Sequence, residues 1–331
     1  MTIDTNRRID LLTSLGKWIE LDDTPWIAAK QRAVGANPWF TLEHIELAAN
    51  NIVREFLQED KLKAWVAKYP IITIPKTIGI VMAGNIPLVG FHDFLCGFLS
   101  GHYLRIKVSS KDNILFEFLL RKMGEWEPEV LEQVVIEERL NNCDAYIATG
   151  SNNTARYFEQ YFGKYPHIIR KNRTSVAILD GNETDEELAL LADDVYLYYG
   201  LGCRNVTQVC VPRDYNFEQL LRVFTKHNNY ADLNKYKNNY DYHLAIYLLN
   251  RVPYMSNESI LMVENDLPFS AVSVLHYKYY DDKAQLIEQL KASEDIQAII
   301  GRDFIPFGDS QKPGLDAYAD NVDTMAFLCG L

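Results

Sequence analysis

An α/β fold of two lobes, each built on a doubly wound, mostly parallel sheet, is predicted by three observations. Short, β-branched apolar runs alternate with helix-like segments from Thr77 onward. No repeat of fixed period and no low-complexity linker interrupts that rhythm. The length, 331 residues, favours two lobes over one core, and 48% hydrophobic with 24% charged residues describes a globular chain. The division is expected at 178/179.

Residues 1–76 read as polar helices, and the best amphipathic segment runs from Glu43 to Leu57, where Ile45, Leu47, Ala48, Ile52, Val53, Phe56 and Leu57 share a stripe. Thr77–Met82 reads as a buried strand, 83–87 as a loop, and the apolar residues to Leu99 as a helix. Tyr103–Val108 is the next strand, followed by capping residues Ser109–Asp112 and a helix over 113–123. Strands over 133–136 and 145–148 precede the turn Thr149-Gly150-Ser151 and a helix over 154–162. That turn suits an anion at a helix N-terminus, and it reads equally well as an ordinary βα turn with a serine cap.

Strand 174–179 leads through Asp180-Gly181-Asn182 to a helix over 185–199, which delivers the chain to Gly200-Leu201-Gly202-Cys203. Strand 206–211, helix 216–226, a tyrosine-rich helix or loop to 241 and a helix over 242–250 follow. Strands over 259–263, 271–277 and 296–300, with a helix over 282–291, complete the second lobe, and Val322–Leu328 reads as a closing strand.

Against 45 acidic residues stand only 33 basic ones, a formal charge of -12 that repels phosphate backbones and argues against nucleic acid as a partner. No apolar run approaches the roughly 20 residues of a membrane span, and no signal-peptide core follows the N-terminus, so a cytoplasmic protein is expected. Five cysteines without paired spacing suggest free thiols and neither a disulfide framework nor a metal site. Cys96, Cys210 and Cys329 read as small hydrophobes, and Cys143 has no activating neighbour. Cys203 differs in lying at a turn between Gly202, which admits a ligand, and Arg204, which favours a thiolate, and by itself it reads either as a reactive thiol or as a structural cysteine.

Four stretches together resemble the aldehyde dehydrogenase superfamily and, within it, the bioluminescence-type (LuxC-like) acyl-CoA reductase family, over about Ile78–Leu331. Gly84-Asn85-Ile86-Pro87 stands where the superfamily has its oxyanion-hole asparagine. Lys107-Val108-Ser109-Ser110 matches the ribose-holding Lys-Pro-Ser-Glu, Thr149-Gly150-Ser151 the pyrophosphate turn, and Gly200 to Cys203, with Val211 eight residues on, the nucleophile segment. Pro306-Phe307-Gly308 and the 313–320 run add reductase character.

The resemblance implies an aldehyde dehydrogenase-like fold with the active site in the cleft between its lobes. Residues 1–178 would form N-terminal helices and the dinucleotide-binding domain, and 179–331 the catalytic domain with its closing segment. It further implies Cys203 as nucleophile, Asn85 as oxyanion donor, and Lys107, Ser109, Ser110, Thr149, Gly150 and Ser151 as cofactor residues. Three departures refine this. The general-base glutamate of aldehyde-oxidising members is absent, its region being Ile169-Arg170-Lys171-Asn172-Arg173, which favours acyl transfer over hydrolysis. Ser110 and Lys111 replace an acidic residue that would repel a 2′-phosphate, so NADPH is expected, with NADH the alternative. The Glu-x-Phe-Gly-Pro motif survives only as Leu267-Pro268-Phe269-Ser270-Ala271, leaving Glu264 and Asp266 as candidates for its glutamate. The expected reaction reduces a long-chain acyl-CoA to an aldehyde. Rival readings are another activated acyl group, aldehyde oxidation, and a non-catalytic nucleotide-binding protein. An acyl-donor protein and a homo-oligomer remain open as partners. His92 reads either as a site residue or as a structural histidine.

Overall fold

The computed structural model describes residues 3–331. Contacts divide the chain into two compact units, one running to Asn172 and resumed by Pro313–Leu331, the other spanning Arg173–Lys312. The resumed segment therefore belongs with the first unit, whereas the division at 178/179 assigned it to the second.

The first unit opens with α1 (Thr5–Leu21), α2 (Thr24–Ala36), α3 (Leu42–Phe56) and α4 (Glu59–Val66). Asp4, Asp23 and Thr41 start the first three, each side chain accepting a first-turn backbone N–H that has no partner within the helix. The α/β part then runs β1 (Thr77–Val81), α5 (Phe91–Ser100), β2 (Tyr103–Lys107), α6 (Asn113–Trp126), α7 (Glu129–Gln133), β3 (Val134–Ile136), β4 (Ala145–Thr149), α8 (Asn152–Phe162) and β5 (His167–Arg170). The five strands form a wholly parallel sheet in the order β3-β2-β1-β4-β5. Chain direction across the sheet reverses between β1 and β4, and the loops at the strands' carboxyl ends there form the crevice where such sheets bind ligands. The sequence reading missed β5, whose apolar core is only Ile168-Ile169.

The second unit contains β6 (Thr174–Ile178), α9 (Asp185–Tyr196), β7 (Val206–Pro212), α10 (Phe217–Phe224), α11 (Asn234–Asn250), β8 (Met255–Ser256), β9 (Leu261–Glu264), β10 (Val274–Tyr280), α12 (Lys283–Ala292) and β11 (Ile296–Ile300). Its sheet order is β11-β6-β7-β10-β9-β8, parallel except for the short β8–β9 pair. A reciprocal capping box, Thr184 with Glu187, starts α9. The helix stops at Tyr196 instead of reaching Tyr199. Tyr198 and Tyr199 take left-handed backbone angles, φ 54° and 58°, which end the helical path.

The resumed segment ends in α13 (Thr324–Cys329), a helix where a closing strand was expected. Asp323 caps it by accepting from the Ala326 N–H, and Met325 and Leu328 turn inward at helical spacing. Polar contacts of His102, His92 and Tyr318 are among those that hold this segment in the first unit. Buried His102 accepts from the Lys76 N–H at its Nδ1 and donates from Nε2 to the Leu328 carbonyl, 3.0 Å each. His92 Nε2 lies 3.0 Å from the Leu315 carbonyl, and the Tyr318 hydroxyl accepts from Trp65 Nε1 at 3.0 Å and pairs with Tyr69 at 2.6 Å. Among the described residues no helix is long and apolar enough to cross a membrane, and no acidic, histidine and cysteine cluster could hold a metal ion.

Candidate active site

In the first unit the sheet gathers three of the sequence-derived stretches at the carboxyl ends of its strands. Val81 pairs with both Lys107 and Ala148, so the asparagine loop, the lysine and the Thr149-Gly150-Ser151 turn leave neighbouring strands at one level. The Met82 N–H donates to the Lys107 carbonyl at 3.0 Å, extending that alignment one residue. Gly84 backs onto the 109 loop so closely that an added Cβ would lie 2.5 Å from Ser109 Oγ. Asn85, Lys107, Ser110, Lys111 and Ser151 are exposed, while Ser109, Thr149 and Gly150 are half-buried. Ser151 caps α8, its Oγ accepting from the Thr154 N–H at 3.2 Å, so the helix N-terminus opens at the carboxyl end of β4. An exposed ammonium, hydroxyls and a helix N-terminus at the point of reversal are the donor set a dinucleotide's ribose and phosphates require, so the residues present fit the cofactor.

Asp112, expected as a cap for α6, makes no capping bond. Its carboxylate instead accepts from the Leu88 N–H at 2.6 Å, fixing the end of the asparagine loop where Leu88 takes a left-handed φ of 56°. Burial pushes the Asp112 carboxyl up to about 7, with the Leu88 hydrogen bond pulling the other way, and its Oδ1 is buried without a hydrogen-bond partner. Because the folded pKa lies above the ordinary 3.8, the folded protein holds a proton that the unfolded chain releases. That contribution to stability is full below about pH 4 and is lost as pH rises through 7. Asp194, pushed by burial up to about 6, acts in the same sense over a narrower window. Asp112→Asn is expected to flatten the stability profile between pH 4 and 7, where one such group contributes at most about 1.4 kcal/mol per pH unit. Urea unfolding midpoints across that range check it.

In the second unit the chain between α9 and β7 makes a tight, buried turn. Tyr198, Tyr199 and Gly200 are successively left-handed, φ 54°, 58° and 73°, a conformation that costs each tyrosine roughly 1–2 kcal/mol. Tyr199 packs against Tyr230 and Tyr236 with ring centroids 4.7 and 5.8 Å apart, which offsets part of that cost. Cys203 follows, half-buried, with Arg204 beside it. Burial lowers the Arg204 pKa and the neighbouring Cys203 sulfur opposes that, so the two side chains are electrostatically coupled. The other thiols are held neutral: burial pushes Cys96 far up, Cys210 up to about 12, and Cys143 and Cys329 upward. Cys203 is half-buried, whereas Cys96, Cys143 and Cys210 are buried.

Residues 169–173 offer no base. Arg170, 2% exposed, pairs with Asp93 of α5 at 2.5 Å and donates to Thr324 Oγ1 at 2.8 Å. His92 is structural, bonded to Leu315 and ringed by Phe56, Trp65 and Tyr318 at centroid distances of 5.0–5.8 Å. The apolar helix α5 is core: Phe91, Phe94, Leu95 and Phe98 are at most 1% exposed. Glu264 ends β9 and is exposed, as is Asp266, and neither is singled out by a partner. Three residues beside these stretches carried no sequence signal for the role they take: Asp112 beside the asparagine loop, and Ser175 and Asn205 beside Cys203. Their side chains bond backbone groups brought close only by the fold.

Solved structures of the same fold include an oxidoreductase from Marinobacter aquaeolei (TM-score 0.68, 9% identity, 91% of this chain and 74% of that one). Aldehyde dehydrogenase 21 from Physcomitrella patens, in complex with the reaction product succinate, is similar at TM-score 0.67, 11% identity, and 91% and 74% coverage. A Mycobacterium tuberculosis aldehyde dehydrogenase complexed with NAD+ is similar at TM-score 0.63, 14% identity, and 86% and 70% coverage. These likenesses show an aldehyde dehydrogenase-type fold. No curated protein matches the chain in sequence. The family model of acyl-CoA reductase (LuxC) matches residues 41–223, a stretch that begins at the cap of α3 and contains the asparagine loop, residues 107–110 and 149–151, and Cys203. The chain belongs to the acyl-CoA reductase (LuxC) family and is an aldehyde-forming oxidoreductase of aldehyde dehydrogenase-like fold.

Proposed function

We propose that the protein reduces a long-chain acyl-CoA to the fatty aldehyde with NADPH, through an acyl-enzyme on Cys203. The observation that carries this reading is the fate of Arg170. Where an aldehyde oxidiser keeps the glutamate that activates water, this chain has a guanidinium locked to Asp93 inside the first unit. An acyl-enzyme without that base is poorly hydrolysed and persists for reduction.

The Cys203 thiolate attacks the thioester carbonyl, and the Asn85 amide with the Cys203 N–H carries the negative charge that develops on its oxygen. The bond to coenzyme A breaks and coenzyme A leaves as its thiol. Lys107, Ser109, Ser110 and the 149–151 turn would hold the dinucleotide, which when bound would supply the hydride that reduces the acyl group. The oxygen then re-forms its double bond and expels the Cys203 thiolate, releasing the aldehyde. One proton is consumed in all, matching the thiol released. The free cysteines and the absence of a membrane-spanning helix among the described residues support a cytoplasmic setting.

One spectrophotometric comparison tests the reading: long- and short-chain acyl-CoA, acyl phosphate and free aldehyde, each with NADPH or NADH. Long-chain acyl-CoA with NADPH is expected to be turned over fastest. A preference for acyl phosphate, or oxidation of aldehyde to acid, would sink it. Lys111→Glu, which puts a carboxylate beside Ser110, is expected to raise the KM for NADPH about tenfold or more while changing that for NADH little.

A further inference from the structure

We propose that Asn205, supported by Ser175, is the positioning residue of the nucleophile, a role that rests on Cys203 acting as proposed above. Both residues are 0% exposed. The Asn205 amide reaches both sides of the left-handed turn. Its Nδ2 donates to the Leu197 carbonyl at 2.8 Å and to those of Asp194 and Val195 at 3.1 and 3.4 Å, the acceptors left open where α9 stops. Its Oδ1 accepts from the Gly202 N–H at 2.8 Å. The turn between these contacts is the strained Tyr198-Tyr199-Gly200 run, so one carboxamide spans the segment that would otherwise relax.

The same contacts orient the peptide that carries the proposed oxyanion donor. The Gly202 carbonyl accepts from the Asn205 N–H at 3.1 Å. Among the described residues no peptide bond is cis, and in a planar trans unit the C=O and the following N–H point in opposite directions. Turning the Gly202 carbonyl towards Asn205 therefore turns the Cys203 N–H away from it. The next peptide is fixed as well: Ser175 Oγ donates to the Cys203 carbonyl at 3.1 Å, and the Ser175 N–H donates to the Asn205 carbonyl at the same distance. Cys203 thus sits between two peptides whose planes are set by β6 and by Asn205. Only a carboxamide serves here. A carboxylate would keep the acceptor for Gly202 but face three carbonyls, and alanine would leave four buried backbone groups unpaired.

The test uses Asn205→Ala, Asn205→Asp and Ser175→Ala in the full chain, with melting temperature and dinucleotide affinity as controls for folding. Both Asn205 variants are expected to lose kcat by about 30-fold or more, the scale of a misplaced reacting group, with the KM for acyl-CoA and the affinity for NADPH within about threefold of the parent. Ser175→Ala removes a single hydrogen bond and is expected to lose kcat about fivefold. Iodoacetamide alkylation of Cys203, which needs no acyl donor, is expected to slow about fivefold or more, since the sulfur loses its fixed place near Arg204. A folded Asn205→Ala protein with kcat and alkylation rate within about twofold of the parent overturns the proposal. If that variant does not fold, unchanged kinetics in Ser175→Ala overturn it. A parent enzyme that forms no acyl adduct instead overturns the reading of Cys203 as acyl acceptor, and the alkylation rates then decide the positioning role alone.

Discussion

Cys203→Ala is expected to lower thioester-dependent NADPH oxidation by at least about a thousandfold, because the replacement leaves no group to form the acyl-enzyme. None of the remaining cysteines can take its place. Cys96 and Cys210 are 0% exposed, and burial keeps all four other thiols protonated in the range where the reaction would run. The parent incubated with acyl-CoA is expected to gain the mass of one acyl group, on the peptide containing Cys203, and the variant none. Dinucleotide affinity is expected to be unchanged, because the proposed cofactor residues belong to the first unit. Full activity in the alanine variant would remove the proposed mechanism.

Asp93→Ala is expected to destabilise the protein by about 3–5 kcal/mol, the cost of leaving a buried guanidinium without its carboxylate. Arg170 has few alternatives: its Nε is already buried without a partner, and its other contact is the neutral Thr324 hydroxyl. The burial that lowers its pKa is overcome chiefly by Asp93, so removing Asp93 leaves the desolvation cost opposed only by the smaller pull of Asp320 and Cys96. Replacing both partners at once, as Asp93→Leu with Arg170→Met, is expected to recover most of the loss, since an apolar pair of similar volume carries no such cost. Chemical unfolding of the two single variants and the double one measures the coupling. Equal losses in the double variant and in Asp93→Ala would show that packing, not charge, governs the site.

Much of the scaffold was readable because a parallel sheet writes itself plainly. Ile78–Ile80 and Ala145–Ala148 are buried on both faces, and continuous apolar runs report that, while in β2 Leu104 and Ile106 are buried on either side of the half-buried Arg105. Where an element is short or two-faced the signal fails. In β5 two isoleucines stand between His167 and Arg170, and the inward-facing arginine reads as a surface residue until its partner Asp93, 77 positions earlier, is known. The run Val322–Leu328 is apolar enough for a strand, and only the Asp323 cap and the facing helix α5 decide for a helix. No local rule anticipates Tyr198 and Tyr199 with positive φ, since tyrosine disfavours it and the tyrosine cluster that tolerates it is assembled from distant segments.

The site divided along the same line. Residues defined by their chemistry at a strand end, such as Lys107 and Ser151, could be found by resemblance to a motif. Residues defined by the backbone groups they satisfy, such as Asn205 and Asp112, could not, because those partners exist only after folding.

The return of Pro313–Leu331 to the first unit has a consequence for synthesis on the ribosome. The sheet β3-β2-β1-β4-β5 is made early, yet the pocket filled by Leu315, Tyr318, Met325 and Leu328 stays open until the whole second unit has been translated. For that interval the nascent chain exposes apolar surface that the finished protein hides, including the faces of Trp65 and His92 against which Tyr318 later packs. The second unit, contiguous from Arg173 to Lys312, is free to fold first, and the earliest-made part of the molecule is completed last.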